Sequence, residues 1–216
     1  MKELDYFYSL LASEERKLIS ELNSPRAIQD FLDLAYYPAT DFNRSPIEVL
    51  REKTAHCLDG GLFAAVCLRC LGYPPLILDL LPAKGKDDDH IVALFKIAGC
   101  WGAVAKSNYS GLRYREPIHR TVRELALSYF ENFYNVLGEK TLRSYTRQVD
   151  LSRFDASGWM WKREGVDRIE GELKKRKQIK LLTESQEENL STVDKLSYQA
   201  GLIASNPDGL YQPGEK

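Results

Sequence analysis

Apolar residues recur along this chain at two different periods, and the switch between them divides it. Leu4, Phe7, Tyr8 and Leu11, then Leu18, Ile19 and Leu22, follow helical spacing and predict a helix pair broken near Ser13. Ser24-Pro25 reads as an N-cap with proline at the first helical position. The helix it opens carries Ile28, Phe31, Leu32 and Ala35 on one face and stops before Pro38. Residues 38–45 read as a loop, and Ser45-Pro46-Ile47-Glu48 as a capping box that starts a short helix. The next helix opens at Cys57. Leu58, Leu62, Ala65, Val66 and Leu71 recur at helical spacing, while Phe63, Cys67, Leu68 and Cys70 make the other faces apolar too. A helix apolar all round belongs inside a domain. Gly72 ends it, in the usual place for a helix-terminating glycine. Gly60 and Gly61 run against this pattern, because each costs about 1 kcal/mol relative to alanine in a helix. They imply close approach by another backbone or by a substrate.

After Pro74-Pro75 the period shortens. Residues 76–81 read as a buried strand, residues 82–89 as a polar loop ending in Asp87-Asp88-Asp89, and residues 90–97 as a second strand. Ala98-Gly99 is a two-residue turn into a third strand, residues 100–105, so that Ile97 pairs with Cys100 and His90 faces Ser107. Residues 120–137 return to helical spacing through Leu125, Tyr129, Phe133 and Val136, and Gly138 ends them. Beyond residue 150 the chain reads as a helical extension. Trp159 and Trp161 form a docking segment, a charged helix spans 166–181, and a polar, loosely attached tail begins near Thr183. The expected architecture is α+β: a buried helix with cysteine at its N-terminus, packed on a small antiparallel sheet with further helices on the surface. Residues 1–150 make the core domain and 151–216 the extension and tail.

Composition narrows the function classes. A formal net charge of -1 over 216 residues gives no global attraction to nucleic acid or membrane. No apolar run approaches the roughly 18–20 residues of a membrane span. The start, Met1-Lys2-Glu3-Leu4-Asp5, lacks a signal-peptide core, so the expected location is cytoplasmic, with all four cysteines as reduced thiols. Cys67-x-x-Cys70 lies deep in an apolar helix and reads as core packing, with no paired ligands to complete a zinc site. Neither a metal nor a cofactor is expected. The Asp87–Asp89 run and the basic residues 174–180 read as solvated charge.

The chemistry centres on Cys57. A thiol at the positive end of a helix is placed for a lowered pKa and for nucleophilic attack. Such a thiol needs an imidazole to take its proton and a third polar group to orient the imidazole. Of three histidines, His56 adjoins Cys57 and projects about 100° away, and His119 lies in an irregular polar stretch; His90 opens a strand and is the choice. For the third position Asn108 is the candidate, with Ser107 as the weaker alternative. Asp59, Ser107, Trp101 and Arg113 are candidates for touching the substrate, with Arg113 or Arg115 meeting an acidic substrate group.

Ala55-His56-Cys57-Leu58-Asp59-Gly60-Gly61, followed by a helix and by Asp89-His90-Ile91-Val92 opening a strand, resembles the core of the transglutaminase-like superfamily over about residues 45–110. The resemblance implies a papain-like fold, Cys57 as nucleophile and His90 as base, acting on a peptide, amide or other acyl substrate by hydrolysis or transfer. Where that superfamily usually places an aspartate, this chain reads Val104-Ala105-Lys106-Ser107-Asn108, with Asn108 as an amide in its stead. The alternative expectation is a binding or scaffold protein that keeps the fold without catalysis. Nucleic-acid binding through the basic helix ranks third.

Overall fold

The computed structural model describes residues 2–40 and 42–214; Met1, Asp41, Glu215 and Lys216, which fall in the predicted N-terminal, loop and tail segments, lie outside the described residues. The predicted helix pair is α1 (Lys2–Ser9) and α2 (Ser13–Glu21). Helix α3 (Pro25–Leu34) begins where the Ser24 hydroxyl accepts a hydrogen bond from Ala27 N–H at 3.1 Å. Helix α4 (Pro46–Glu52) begins at the expected capping box, in which Ser45 N–H donates to the Glu48 carboxylate at 2.8 Å. Helix α5 (Cys57–Cys70) is buried almost throughout.

Strands β1 (Leu76–Pro82), β2 (His90–Ile97) and β3 (Cys100–Val104) follow in antiparallel order. The turn has the predicted register, with Ile97 opposite Cys100 across Ala98 (φ 50°) and Gly99 (φ 82°). Four strands were not foreseen: β4 (Arg115–His119), β5 (Leu142–Thr146), β6 (Val149–Asp150) and β7 (Gln178–Lys180). The sheet order is β4-β3-β2-β1-β5-β7, with β6 on β1. These strands are short and polar or sit at the sheet margins, so their pairing comes from neighbours rather than from an apolar alternation of their own.

Three other expectations change. The helix expected over 120–137 is only α6 (Val122–Leu127), followed by a 3₁₀ turn at Phe130–Asn132, because Tyr129, Phe133 and Tyr134 fold under the sheet. The charged helix is α7 (Arg163–Leu173), and residues 178–180 leave it to form β7. Residues beyond 150 are not an appended extension. β7 joins the common sheet, and Trp159, Met160, Val166 and Ile169 enter the same core as α5. The polar tail holds α8 (Glu184–Glu188) and α9 (Lys195–Gly201).

The sheet separates two apolar layers. One face, through Ile77, Ile91, Ala93 and Phe95, packs on the helical layer that includes α3, α4 and α5. The other, through Leu78, Leu80, Val92 and Leu94, packs on Leu125, Tyr129, Phe133 and Tyr134. The α5 glycines mark where this sandwich is tightest. A Cβ on Gly60 would collide with the Lys106 side chain, and one on Gly61 would lie 2.8 Å from Ile91 Cγ2 and 3.3 Å from its carbonyl oxygen. The helix start is thus pressed against the sheet at the divergence of β2 and β3. Lys106 is itself immobilised: its Nζ donates to the carbonyls of Leu32 (2.8 Å) and Ala35 (2.5 Å) at the end of α3.

Gly60→Ala and Gly61→Ala will therefore each destabilise the protein by about 1–3 kcal/mol, the cost of overpacking, although alanine is the better helix former. Urea unfolding of the two variants checks this; a gain in stability would show that the helix has room to shift.

Candidate functional site

Cys57 is the first residue of α5 and lies where β2 begins. Its thiol donates to the Asp89 carbonyl at 3.6 Å, and the Ile91 N–H points back at the sulfur. The thiol thus lies against the main chain on either side of His90. The Cys57 backbone N–H reaches the hydroxyl oxygen of Tyr37. Sequence reasoning missed Tyr37, which sits in a loop whose nearness to α5 follows only from the fold.

His90 is buried, and its side chain alternates with Val92 and Leu94 towards the second apolar layer, with its ring 6.0 Å from Tyr129 and 6.3 Å from Phe133. Its Nε2–H donates to the Leu112 carbonyl at 2.7 Å, since a carbonyl can only accept. That bond places the single proton of neutral imidazole on Nε2 and leaves the Nδ1 lone pair free. The Leu112 carbonyl therefore does what was expected of Asn108. Asn108 faces elsewhere: its Nδ2 donates to Asn206 O at 2.8 Å and its Oδ1 accepts from Asn206 N–H at 2.7 Å. The reason is that β3 stops at Val104, so the chain turns away before Ser107 and Asn108 can pair with β2. Ser107 instead receives Tyr109 N–H at 3.0 Å on its hydroxyl.

Cys57 and His90 share a small cavity of about 50 Å³, also lined by Tyr37, Ser107 and Leu112. Their hydrogen bonds go to different partners, so the two side chains do not form a closed pair. A larger cleft of about 650 Å³, also lined by Cys57, lies between the loop at 37–40, the end of α7 and the C-terminal residues 207–212.

The other candidates are placed as follows. Asp59 is fully buried and faces inward. Its carboxylate accepts from Arg44 N–H at 2.7 Å and His56 N–H at 3.4 Å and lies 3.7 Å from Arg44 Nη1. It closes the helix start and cannot meet a substrate. Trp101 lies opposite Lys96 near the far end of β2, with the ammonium 4.8 Å from its ring centroid. Arg113 donates to Ser110 O at 3.0 Å and pairs with Asp33 at 3.2 Å. Neither Trp101 nor Arg113 lines the cleft or the small cavity.

The electrostatics reverse one expectation. The Cys57 thiol is pushed well above its ordinary pKa, first by burial and then by the Asp89 carboxylate, with Asp88 and Asp59 adding to it. Burial, with three carboxylates adding to it, outweighs the positive end of α5. Burial lowers His90 to about 4. At neutral pH the resting state is a neutral thiol beside a neutral imidazole. Burial also raises Asp59, Asp87 and Asp89 to about 6 and Asp79, with Asp89 beside it, to about 8. Asp79 is 1% exposed and its Oδ1 has no hydrogen-bond partner among the described residues. Among the described residues no cluster of His, Cys, Asp and Glu is arranged to hold a metal ion. Among the same described residues no helix is long and apolar enough to cross a membrane. No protein-family model matches the chain, and no curated protein matches it either.

An acid whose folded pKa is raised holds protons that the unfolded chain has released, so stability falls with rising pH between the unfolded and folded values. Below about 6.5 His90 opposes this, being depressed. Between pH 6.5 and 8 the raised carboxyl of Asp79 remains to be ionised. Unfolding stability is expected to drop across pH 6.5–8 by up to about 2 kcal/mol, and Asp79→Asn to flatten that slope. Urea titrations at several pH values measure it; an unchanged slope in the variant would assign the effect to other groups.

Proposed function

We propose that the protein is a cysteine-dependent acyl hydrolase or acyltransferase with a papain-like, transglutaminase-like core, working on amide or ester carbonyls in a reducing, cytoplasmic setting. The observation that supports this best is the tautomer imposed on His90. The Leu112 carbonyl holds Nε2–H, which leaves Nδ1 as the ring's acceptor, and His90 and Cys57 line one small cavity. A backbone carbonyl in this role removes the need for the aspartate of the superfamily pattern. The four free cysteines suit a reducing compartment.

In this reading His90 Nδ1 takes the thiol proton as the sulfur adds to the acyl carbon. No resting ion pair is needed, so the chemistry is general-base catalysis rather than attack by a stored thiolate. The negative oxygen of the tetrahedral intermediate is held by the Tyr37 O–H, whose own oxygen accepts the Cys57 N–H and is positioned by it. Burial keeps that phenol protonated by raising its pKa well above the ordinary value. The leaving amine or alcohol collects the proton from His90, leaving a thioester on Cys57. Water or an amine then attacks the thioester, with His90 taking and returning the proton again. A second reading, a non-catalytic binding protein built on the same fold, draws on the raised thiol pKa and the separate hydrogen bonds of Cys57 and His90.

Turnover of p-nitrophenyl acetate separates the two. The enzyme reading expects a nitrophenolate burst that Cys57→Ala abolishes and His90→Ala slows by about a hundredfold. The rate should fall as the pH drops through about 4, where His90 becomes protonated and loses its basic nitrogen. An equal rate in Cys57→Ala would leave the binding reading standing.

Tyr37→Phe tests the oxyanion site by itself. It is expected to slow the burst by about a hundredfold while leaving iodoacetamide labelling of Cys57 unchanged, because alkylation forms no oxyanion. A parallel loss in both assays would mark Tyr37 as a structural support of the helix start instead.

A further inference from the structure

The C-terminal segment lies against the candidate nucleophile, and the manner of its docking carries an inference. Asn108 grips both main-chain groups of Asn206, receiving its N–H at 2.7 Å and donating to its carbonyl at 2.8 Å. Asn206 in turn donates from Nδ2 to the Tyr37 carbonyl at 2.9 Å and to the Tyr36 hydroxyl at 3.0 Å. At Gly209 the chain presses so closely that a Cβ would lie 3.1 Å from both the Pro38 oxygen and Tyr37 Cδ1. Pro207–Gln212 then form one wall of the large cleft, and Tyr211 also lines the small cavity that holds Cys57 and His90.

This is how an enzyme groove holds a peptide: the main chain is read by paired donors and acceptors, and a glycine passes where a side chain would not fit. The hold is partial. From Leu202 to Gly214 every residue keeps some exposure, and the apolar contact comes from Leu202 and Leu210, half-buried against the second core layer, so the apolar area that opposes release is limited. By contrast, α9 just upstream is anchored, since Tyr134 donates to Ser197 O at 2.9 Å and Ser110 to Ala200 O at 2.8 Å. An anchored helix followed by a lightly held strap keeps the strap at high local concentration after it lifts.

We propose that residues 206–212 are a tethered peptide gate over Cys57, and that the substrate admitted when the gate lifts is a polypeptide segment bound along the same groove. The proposal rests on the acyl-chemistry reading for what the groove does, but the gate is measurable without it. Asn108 then serves as a substrate-reading residue rather than as an orienter of His90. A gate also accounts for the pairing of the cleft and the small cavity around one thiol: the strap lines both until a competitor takes its place.

The test uses the full chain with Asn206→Ala or Gly209→Val, two substitutions that unseat the strap by different means. Labelling of Cys57 by iodoacetamide, read by mass spectrometry of the peptide that carries it, is expected to rise about tenfold in each, the size expected from losing a latch of a few hydrogen bonds. A synthetic peptide spanning residues 205–212, added in trans, is expected to return the rate towards that of the unmodified protein, and a scrambled peptide to leave it high. Unchanged or lower labelling in both variants overturns the gate, as does a rise that the authentic peptide fails to reverse. These outcomes are independent of the nitrophenolate burst. A lost burst requirement for His90 with tail-dependent labelling intact would reject the acyl reading and keep the gate, and the reverse pattern would do the opposite.

Discussion

The contact on which the site depends is the pressure of the α5 start against the divergence of β2 and β3. Gly60 meets Lys106 and Gly61 meets Ile91, with no room for a methyl group at either. That closeness brings the Cys57 sulfur to the main chain flanking His90. It also forces the sheet to open, because Lys106 must turn to cap α3 instead of extending β3. Asp59 secures the same corner from behind by satisfying Arg44 and His56 backbone N–H groups that would otherwise be left without partners. Alanine at positions 60 and 61 would suit the helix and spoil the corner.

The same tight packing explains why the thiol is not stored as an anion. A helix N-terminus favours negative charge by a fraction of a kcal/mol to about 2, but burial and three nearby carboxylates oppose it more strongly. The imidazole is likewise kept neutral by its burial. A thiol and an imidazole that are both neutral at rest leave no stored thiolate in the protein. The C-terminal strap walls the cleft beside the same thiol.

Much of this was legible in the chain. The helix pair, the Ser24 cap, the Ser45 capping box, the buried α5, and the β2–β3 register from Ala98-Gly99 all follow from local spacing and turn chemistry, and each is present. The cysteine and the histidine that share the small cavity were singled out from residue type and element position. What escaped had no local signal. β4, β5, β6 and β7 carry little alternation of their own, and the break of the 120–137 helix came from aromatic residues being drawn under the sheet. Leu112 contributes through its carbonyl, which every residue possesses, so no reading of side chains could have picked it out.

The sequence by itself determined the secondary elements with strong periodicity, the burial of α5 and the identity of its leading thiol, because these depend on interactions within a few residues of chain. Only the tertiary structure decided what orients the imidazole, that the thiol's pKa rises rather than falls, and that residues 206–212 reach the cleft. Those outcomes rest on burial and on contacts between distant segments, such as Asn108 with Asn206. Burial sums over every neighbour in space, and a one-dimensional pattern does not contain that sum. The opening glycines belong to both: their presence in an apolar helix announced a close approach, and the fold showed that Lys106 and Ile91 make it.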